Sequence, residues 1–379
     1  MAKKKVTPKQ IETMYDSGES RMTQDRMDFL LPQIIDFVVE KNWLNLRPEY
    51  QRRLVWDNKK KSRFIESLLM NVPVPPVFLY EHDLNRYEVM DGQQRLNAVL
   101  EFYNNELKLT GLETWKVLNG FTYAKCPPRI KRGLDRRRIS ATVLLAENAS
   151  EESDRDFLRR QVFERLNTGG QQLNAQELRN SLYSGPFNDL IVDMAGVELF
   201  NNIWGIPSYE EHYDREEGFI DSELAANKLF KRMTDCEIVL RFFAFRRKGK
   251  IKGSVRKILD TCMKDLRNAN EEQIEEMEDA FLENLETAKQ IFKERTFQVK
   301  DDKNKWRLSQ PMFDGVMVAL DRLRDDHESL IDNRKEIVKE INEELEYEET
   351  YETVVGKPNT AQAIKDRLDF FEGIFEQFV

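Results

Sequence analysis

Histidine and cysteine are scarce here, with three of each in 379 residues. Cys126, Cys236 and Cys262 stand far apart and form no C-x-x-C pair, which excludes a disulfide framework or a structural zinc site and fits a reducing compartment. No stretch approaches the roughly 18–20 consecutive apolar residues of a membrane span. Behind the start Met1-Ala2-Lys3-Lys4-Lys5 there is no apolar segment, so a cytoplasmic protein without a secretory signal or membrane attachment is expected. A G-x-x-x-x-G-K-[ST] loop is missing, as are a G-x-S-x-G elbow and a Cys–His nucleophile pair. These gaps remove the P-loop NTPases and the common nucleophile hydrolases. There is no internal repeat and no low-complexity tract.

Charge, by contrast, is plentiful. Charged residues make up 34% and hydrophobic ones 40%, with a net charge of -9. Such a chain is long enough for a large core and two domains. The acidic balance argues against a protein that coats nucleic acid over its whole surface, yet positive charge gathers in two places. Lys125, Arg129, Lys131, Arg132, Arg136, Arg137 and Arg138 are opposed only by Asp135. Arg241, Arg246, Arg247, Lys248, Lys250, Lys252, Arg256 and Lys257 surround Phe242, Phe243 and Phe245. Each cluster is either a solvated face or a surface that neutralises nucleic-acid phosphates. The three phenylalanines suit a core better than base stacking. The acidic runs 271–286 and 340–352 suit exposed helix faces.

The hydrophobic pattern divides the chain. Residues 1–27 are expected to form a polar arm. Over 28–150 short strands alternate with helices: a helix or strand lead-in over 29–39, a strand near 43–46, a helix over 58–70, strands over 77–80 and 86–90, a helix over 92–105 and a strand over 142–145. Between 151 and 379 helical spacing dominates, over 151–166, 174–184, 186–200, 222–247, 254–266, 271–294, 310–346 and 360–378. The expected fold class is α+β, a small mixed α/β domain followed by a mostly helical one.

The densest set of polar and permissive residues is Asp91-Gly92-Gln93-Gln94-Arg95. It lies between the strand pattern 87–90 and the helical spacing Leu96, Val99, Leu100, Tyr103. A strand-to-helix turn presents backbone N–H groups and the positive end of a helix dipole, a suitable place for a phosphate, and Arg95 adds a planar fork. The same residues also make an ordinary helix start, with Asp91 as cap and Gly92 in the turn. Two motifs flank it. Upstream, Leu46-Arg47-Pro48-Glu49-Tyr50-Gln51-Arg52-Arg53-Leu54-Val55-Trp56-Asp57 leads from an extended approach at Pro48 into a helix capped by Asp57. Downstream, Phe163-Glu164-Arg165-Leu166-Asn167-Thr168-Gly169-Gly170 ends a helix, and another begins near Asn174 with Leu178 facing inward.

Taken in order, Tyr50-Gln51-Arg52, Trp56, Asp91-Gly92-Gln93-Gln94-Arg95 and Phe163-Glu164-Arg165-Leu166-Asn167-Thr168-Gly169-Gly170 resemble the N-terminal domain of GmrSD-type restriction endonucleases, a relative of the ParB and sulfiredoxin fold. The resemblance spans residues 40–190. The late stretch Asn359-Thr360-Ala361-Gln362-Ala363-Ile364-Lys365-Asp366-Arg367-Leu368 resembles the end of stand-alone members. Such membership implies a ParB/sulfiredoxin-like domain over 28–150, a site completed by 151–190, and a prokaryotic restriction or anti-phage setting. It also implies a stand-alone chain without the histidine-metal nuclease domain. Asp326-His327 faintly echoes that domain's Asp-His pair, but its charged helical context lacks the proline and second ligand group, so His327 is expected at the surface.

On this resemblance Gln51, Arg52, Arg53, Gly92, Arg95, Arg165, Asn167, Thr168 and Gly169 bind a nucleoside triphosphate. Asp91, Gln93, Gln94 and Arg95 form the catalytic set, with Asp91 holding magnesium or orienting water and the glutamines positioning the attacking water. DNA contact is expected from Arg129, Lys131, Arg132, Arg136, Arg137 and Arg138, and a separate nuclease or defence protein is a candidate partner. Two alternatives stay open. One is a non-catalytic DNA-binding or regulatory module that uses the pocket as a nucleotide switch. The other is DNA nicking at the same turn, with a second carboxylate from Glu49, Glu164 or Glu177.

Overall fold

The computed structural model describes residues 23–46, 56–145, 174–214, 219–301, 303–356 and 360–379, together with positions 7, 9 and 12. The chain divides into two compact units, Met1–Leu173 and Asn174–Val379. The class is α+β: the sheet lies in the first unit, and the second is helical apart from two small hairpins. No helix among the described residues is long and apolar enough to cross a membrane.

The first unit runs β1 (Thr23–Leu30), α1 (Leu31–Ile35, continued by a wide π turn, Asp36–Glu40), β2 (Leu44–Asn45), α2 (Asn58–Leu69), β3 (Val77–Asp83), β4 (Arg86–Asp91), α3 (Gln93–Tyr103), α4 (Pro128–Asp135) and β5 (Arg138–Leu145). The sheet order is β1-β5-β3-β4-β2. The central strand β3 is parallel to β5 and antiparallel to β4. Its residues Val77 and Leu79, like Ile139, Ala141 and Val143 of β5, are buried, as strands covered on a core face require. At the edge, β1 begins at Thr23, within the stretch whose polarity suggested an arm. Gln24, Asp25, Arg26 and Asp28 are exposed, and the strand pairs with β5 from Thr23↔Leu145 to Leu30↔Arg138. An edge strand needs backbone partners more than apolar side chains, so its sequence resembles a loop.

Helix α2 starts where Asp57 accepts the Lys60 N–H at 2.7 Å and buries Phe64, Ile65 and Leu68. Its buried Glu66 carboxylate accepts the backbone N–H groups of Glu113, Thr114 and Trp115 at 3.1, 2.8 and 2.7 Å. Burial alone raises the Glu66 pKa, but these donors outweigh it and hold the group below the ordinary glutamate value. Lys61 pairs with Glu101 at 2.7 Å and joins α2 to α3.

The second unit's main helices are α5 (Ala175–Leu182), α6 (Pro186–Ala195), α7 (Glu198–Trp204), α8 (Thr234–Phe245), α9 (Val255–Leu266), α10 (Glu271–Phe292), α11 (Gln310–Arg322), α12 (Arg334–Glu344) and α13 (Ala361–Phe375). Its hairpins are β6–β7 (Tyr213–Asp214, Phe219–Ile220) and β8–β9 (Gln298–Lys300, Trp306–Leu308). Three helices expected to be long are broken. The 186–200 run breaks at Gly196, the 222–247 run at Asn227 and Met233, and the 310–346 run between Arg322 and Arg334. Asn227 caps a new turn through the N–H groups of Leu229 and Phe230, and Met233 takes a left-handed φ of 53°. The apolar spacing persists across these breaks because the pieces face one core.

That core contains Phe242, Phe243 and Phe245 and absorbs much of the second basic cluster. Arg241 makes a two-pronged pair with the fully buried Asp314. Arg246 meets Asp321 at 2.9 Å and Glu276 at 3.0 Å, while Arg247 and Lys250 share Asp265. Arg241 is therefore a core residue, and Arg246, Arg247 and Lys250 stand paired with acids of their own unit. His327, expected at the surface, is buried instead. Its Nδ1 lies 3.0 Å from Thr287 Oγ1 and its Nε2 3.0 Å from the Leu320 carbonyl. With both ring nitrogens engaged, it has no lone pair for a metal.

Candidate functional site

Strand β4 passes into α3 through a single residue, Gly92. Its φ is +103°, and a Cβ there would fall 2.5 Å from Val77 Cγ1, so conformation and packing both demand glycine. Helical bonding opens with the Arg95 and Leu96 N–H groups donating to the Gly92 carbonyl, each at 3.0 Å. The amides of the first helical turn form the positive end of the helix. Gly92 is the cap residue, which leaves the Asp91 carboxylate outside the capping role. Asp91 is 58% exposed and pairs with Arg95 Nη2 at 2.8 Å.

Arg95 is itself mostly buried, and burial lowers its pKa against the pull of Asp91. Its Nη1 donates to the Pro75 carbonyl and, at 3.2 Å, to that of Pro76. The guanidinium thus clamps the start of β3 to the end of β4. These carbonyl partners left no mark in the sequence beyond a proline-fixed turn before a strand.

The two glutamines act as anchors. Buried Gln93 donates through Nε2 to the Leu46 carbonyl at 3.0 Å, and Gln94 Oε1 accepts the Trp56 N–H at 3.1 Å. Residues 46 and 56 bracket the sequence that carries Gln51, Arg52 and Arg53. Those three, with Arg165, Asn167, Thr168, Gly169 and the carboxylates Glu49 and Glu164, lie outside the described residues. Glu177 is buried and completes the start of α5, accepting the Asn174 N–H at 2.6 Å with Arg232 at 3.4 Å, so it is a capping group. Among the described residues no group of three or more His, Cys, Asp or Glu side chains is placed to hold a metal.

Helix α4 carries the first basic cluster. Arg129, Arg132 and Arg136, at helical spacings of three and four, share an exposed face, and Arg138 is exposed beyond them. Lys131 and Arg137 are half-buried and bonded within the protein, to the Ala124 carbonyl at 2.7 Å and the Leu69 carbonyl at 3.0 Å. Asp135, the one acid of this tract, accepts the hydroxyls of Tyr103 at 3.0 Å and Tyr123 at 2.8 Å.

Fold and site define a class: an α+β protein whose mixed five-stranded sheet carries a glycine-hinged, arginine-clamped strand-to-helix turn. Residues 34–184 match the family model described as GmrSD restriction endonuclease, N-terminal domain. The match includes the turn, its flanking motifs and α4, the stretch in which the three ordered motifs lie. Neither the curated proteins nor the solved structures gave a match to this chain.

Proposed function

We propose that the protein is a nucleotide-binding, NTP-hydrolysing component of a prokaryotic restriction or anti-phage system that acts on or senses DNA, with the nucleotide held at the β4–α3 turn. The observation that carries this is the anchoring of residues 46 and 56 to Gln93 and Gln94. It fixes both ends of the stretch bearing Arg52 and Arg53 to the end of a helix that favours phosphate. Asp91 occupies the exposed side of Arg95, where a phosphate oxygen is the natural substitute. A displaced Asp91 is then available for magnesium. A single carboxylate suits that ion, which takes most of its ligands from water and substrate phosphates. The glutamines position the site, and Arg95 stabilises charge on the transferring phosphate.

Phosphate release should be measured with each of the four common nucleoside triphosphates, with and without magnesium and DNA. Asp91→Asn removes an exposed group and leaves the fold intact, and hydrolysis should fall about 10²–10³-fold. Turnover unchanged in Asp91→Asn refutes the catalytic assignment. A second reading, a non-catalytic DNA-binding module, draws on the open arginine face of α4. Tight nucleotide binding without release, together with a salt-sensitive gel shift, favours it.

A further inference from the structure

The second unit contains a cavity of ≈ 480 Å³ where the end of α10 meets the β8–β9 hairpin, α11 and α12. Phe292, Met312, Val338 and Ile341 supply an apolar floor. One wall is Trp306, with the Arg295 guanidinium over its ring at 4.9 Å, a flat cation backed by an aromatic plane. Around the rim stand Lys293, Arg295, Arg334 and Lys335.

These four cations differ from six arginines of the same unit. Arg179, Arg241, Arg246, Arg247, Arg322 and Arg324 all have carboxylate partners, whereas none of the four rim cations has one among the described residues. The nearby Glu294 pairs with Lys289 instead. Lys293 also adopts φ 52° and ψ -124°, a conformation native to glycine. A lysine stands where glycine would sit with less strain, and strain of this kind gathers at ligand sites. Asn342 donates to the Val338 carbonyl at 2.7 Å, which leaves its Oδ1 as an acceptor at the edge of the cavity.

We propose that this cavity binds a nucleoside phosphate, with the base on the apolar floor against the Arg295–Trp306 wall and the phosphate among the rim cations. The volume falls in the range of small-molecule sites. An alkyl anion would fill the floor but has no use for a flat guanidinium–indole wall. A phosphate, with up to two negative charges and three acceptor oxygens, matches several donors at once. The ligand is either a free nucleotide or a nucleotide unit of a DNA strand. The site is separate from the β4–α3 turn and does not rest on the reading given for it.

The test is titration of the full chain with deoxyadenosine 5′-monophosphate, a 5′-phosphorylated hexanucleotide and dodecanoate, followed by tryptophan emission and calorimetry. Nucleotide is expected to give a saturable emission change that Trp306→Phe abolishes. Affinity should weaken about tenfold or more in Lys293→Gly and in Arg334→Gln/Lys335→Gln, since each loses a charge-assisted contact. Lys293→Gly relieves strain and should fold at least as stably, so its loss of binding is not a folding defect. Tighter binding of the mononucleotide identifies a free ligand, and tighter binding of the hexanucleotide identifies a strand. The proposal is overturned by no saturable nucleotide response, by unchanged affinity in both variants, or by dodecanoate binding where nucleotides do not.

Discussion

In the second unit the basic cluster around Phe242 is largely taken up by carboxylates, whereas in the first several charged side chains hold backbone groups or face outward. Arg241, Arg246 and Arg247 find Asp314, Asp321 and Asp265, up to 75 residues away in sequence. Glu66, Arg95 and Arg137 instead hold loop amides and backbone carbonyls outside the strands. The arginines of α4 are left open because their one local acid, Asp135, is held by two tyrosines. A basic run in sequence therefore says little about whether its charge is available. That depends on acids brought near by the fold.

The sharpest way to break this contrast is Asp314→Asn, which strips the counter-charge from buried Arg241 and from Arg367, whose Nη1 lies 3.6 Å from it. Removing one member of a buried charge network costs about 3–5 kcal/mol, to be read by chemical denaturation. A loss below about 1 kcal/mol would mean that the acid does not secure the cluster. Next comes Glu66→Gln, expected to cost about 2 kcal/mol through weakened bonds to three backbone amides. Glu66 has a lowered pKa in the folded chain, so its contribution is present above the ordinary glutamate range and disappears as pH falls through the lowered value. The acid limb of the first unit's stability should flatten in the variant. An unaltered limb would assign it to other groups.

The two clusters can then be set against each other directly. Arg132→Ala/Arg136→Ala should alter stability by less than about 0.5 kcal/mol, yet lower the salt slope of DNA binding by about two in a gel-shift series. The smallest effect is expected from Arg247→Ala, whose half-exposed pair with Asp265 is worth about 1 kcal/mol or less. DNA binding should not change in this variant. If Arg247→Ala weakened binding as much as the α4 pair, the distinction between paired and open clusters would collapse.

Legibility in the sequence followed locality. The Asp57 cap, the Asn174 start of α5 and the strand-to-helix placement of Asp91-Gly92-Gln93-Gln94-Arg95 rest on near neighbours, and all are present. Contacts across the chain left no such trace. Nothing in the residues around Arg95 announces the Pro75 and Pro76 carbonyls, and Gln93 gives no hint of Leu46. The cavity beside Trp306 draws on three helices and a hairpin, so no motif could display it. Strand β1 was hidden for a different reason, since its polar side chains mask pairing done by backbone alone.

The Arg95 clamp also sets how the turn can respond to a ligand. Its Nη1 holds carbonyls at a double proline, and its Nη2 holds an exposed carboxylate. Only the second contact can be exchanged without shifting β3. A ligand reaching this turn meets a guanidinium already aimed and loses little in ordering it. Amide hydrogen exchange in β3 should then be the same before and after binding: the turn works as a rigid socket, with its side-chain response confined to one carboxylate stepping aside.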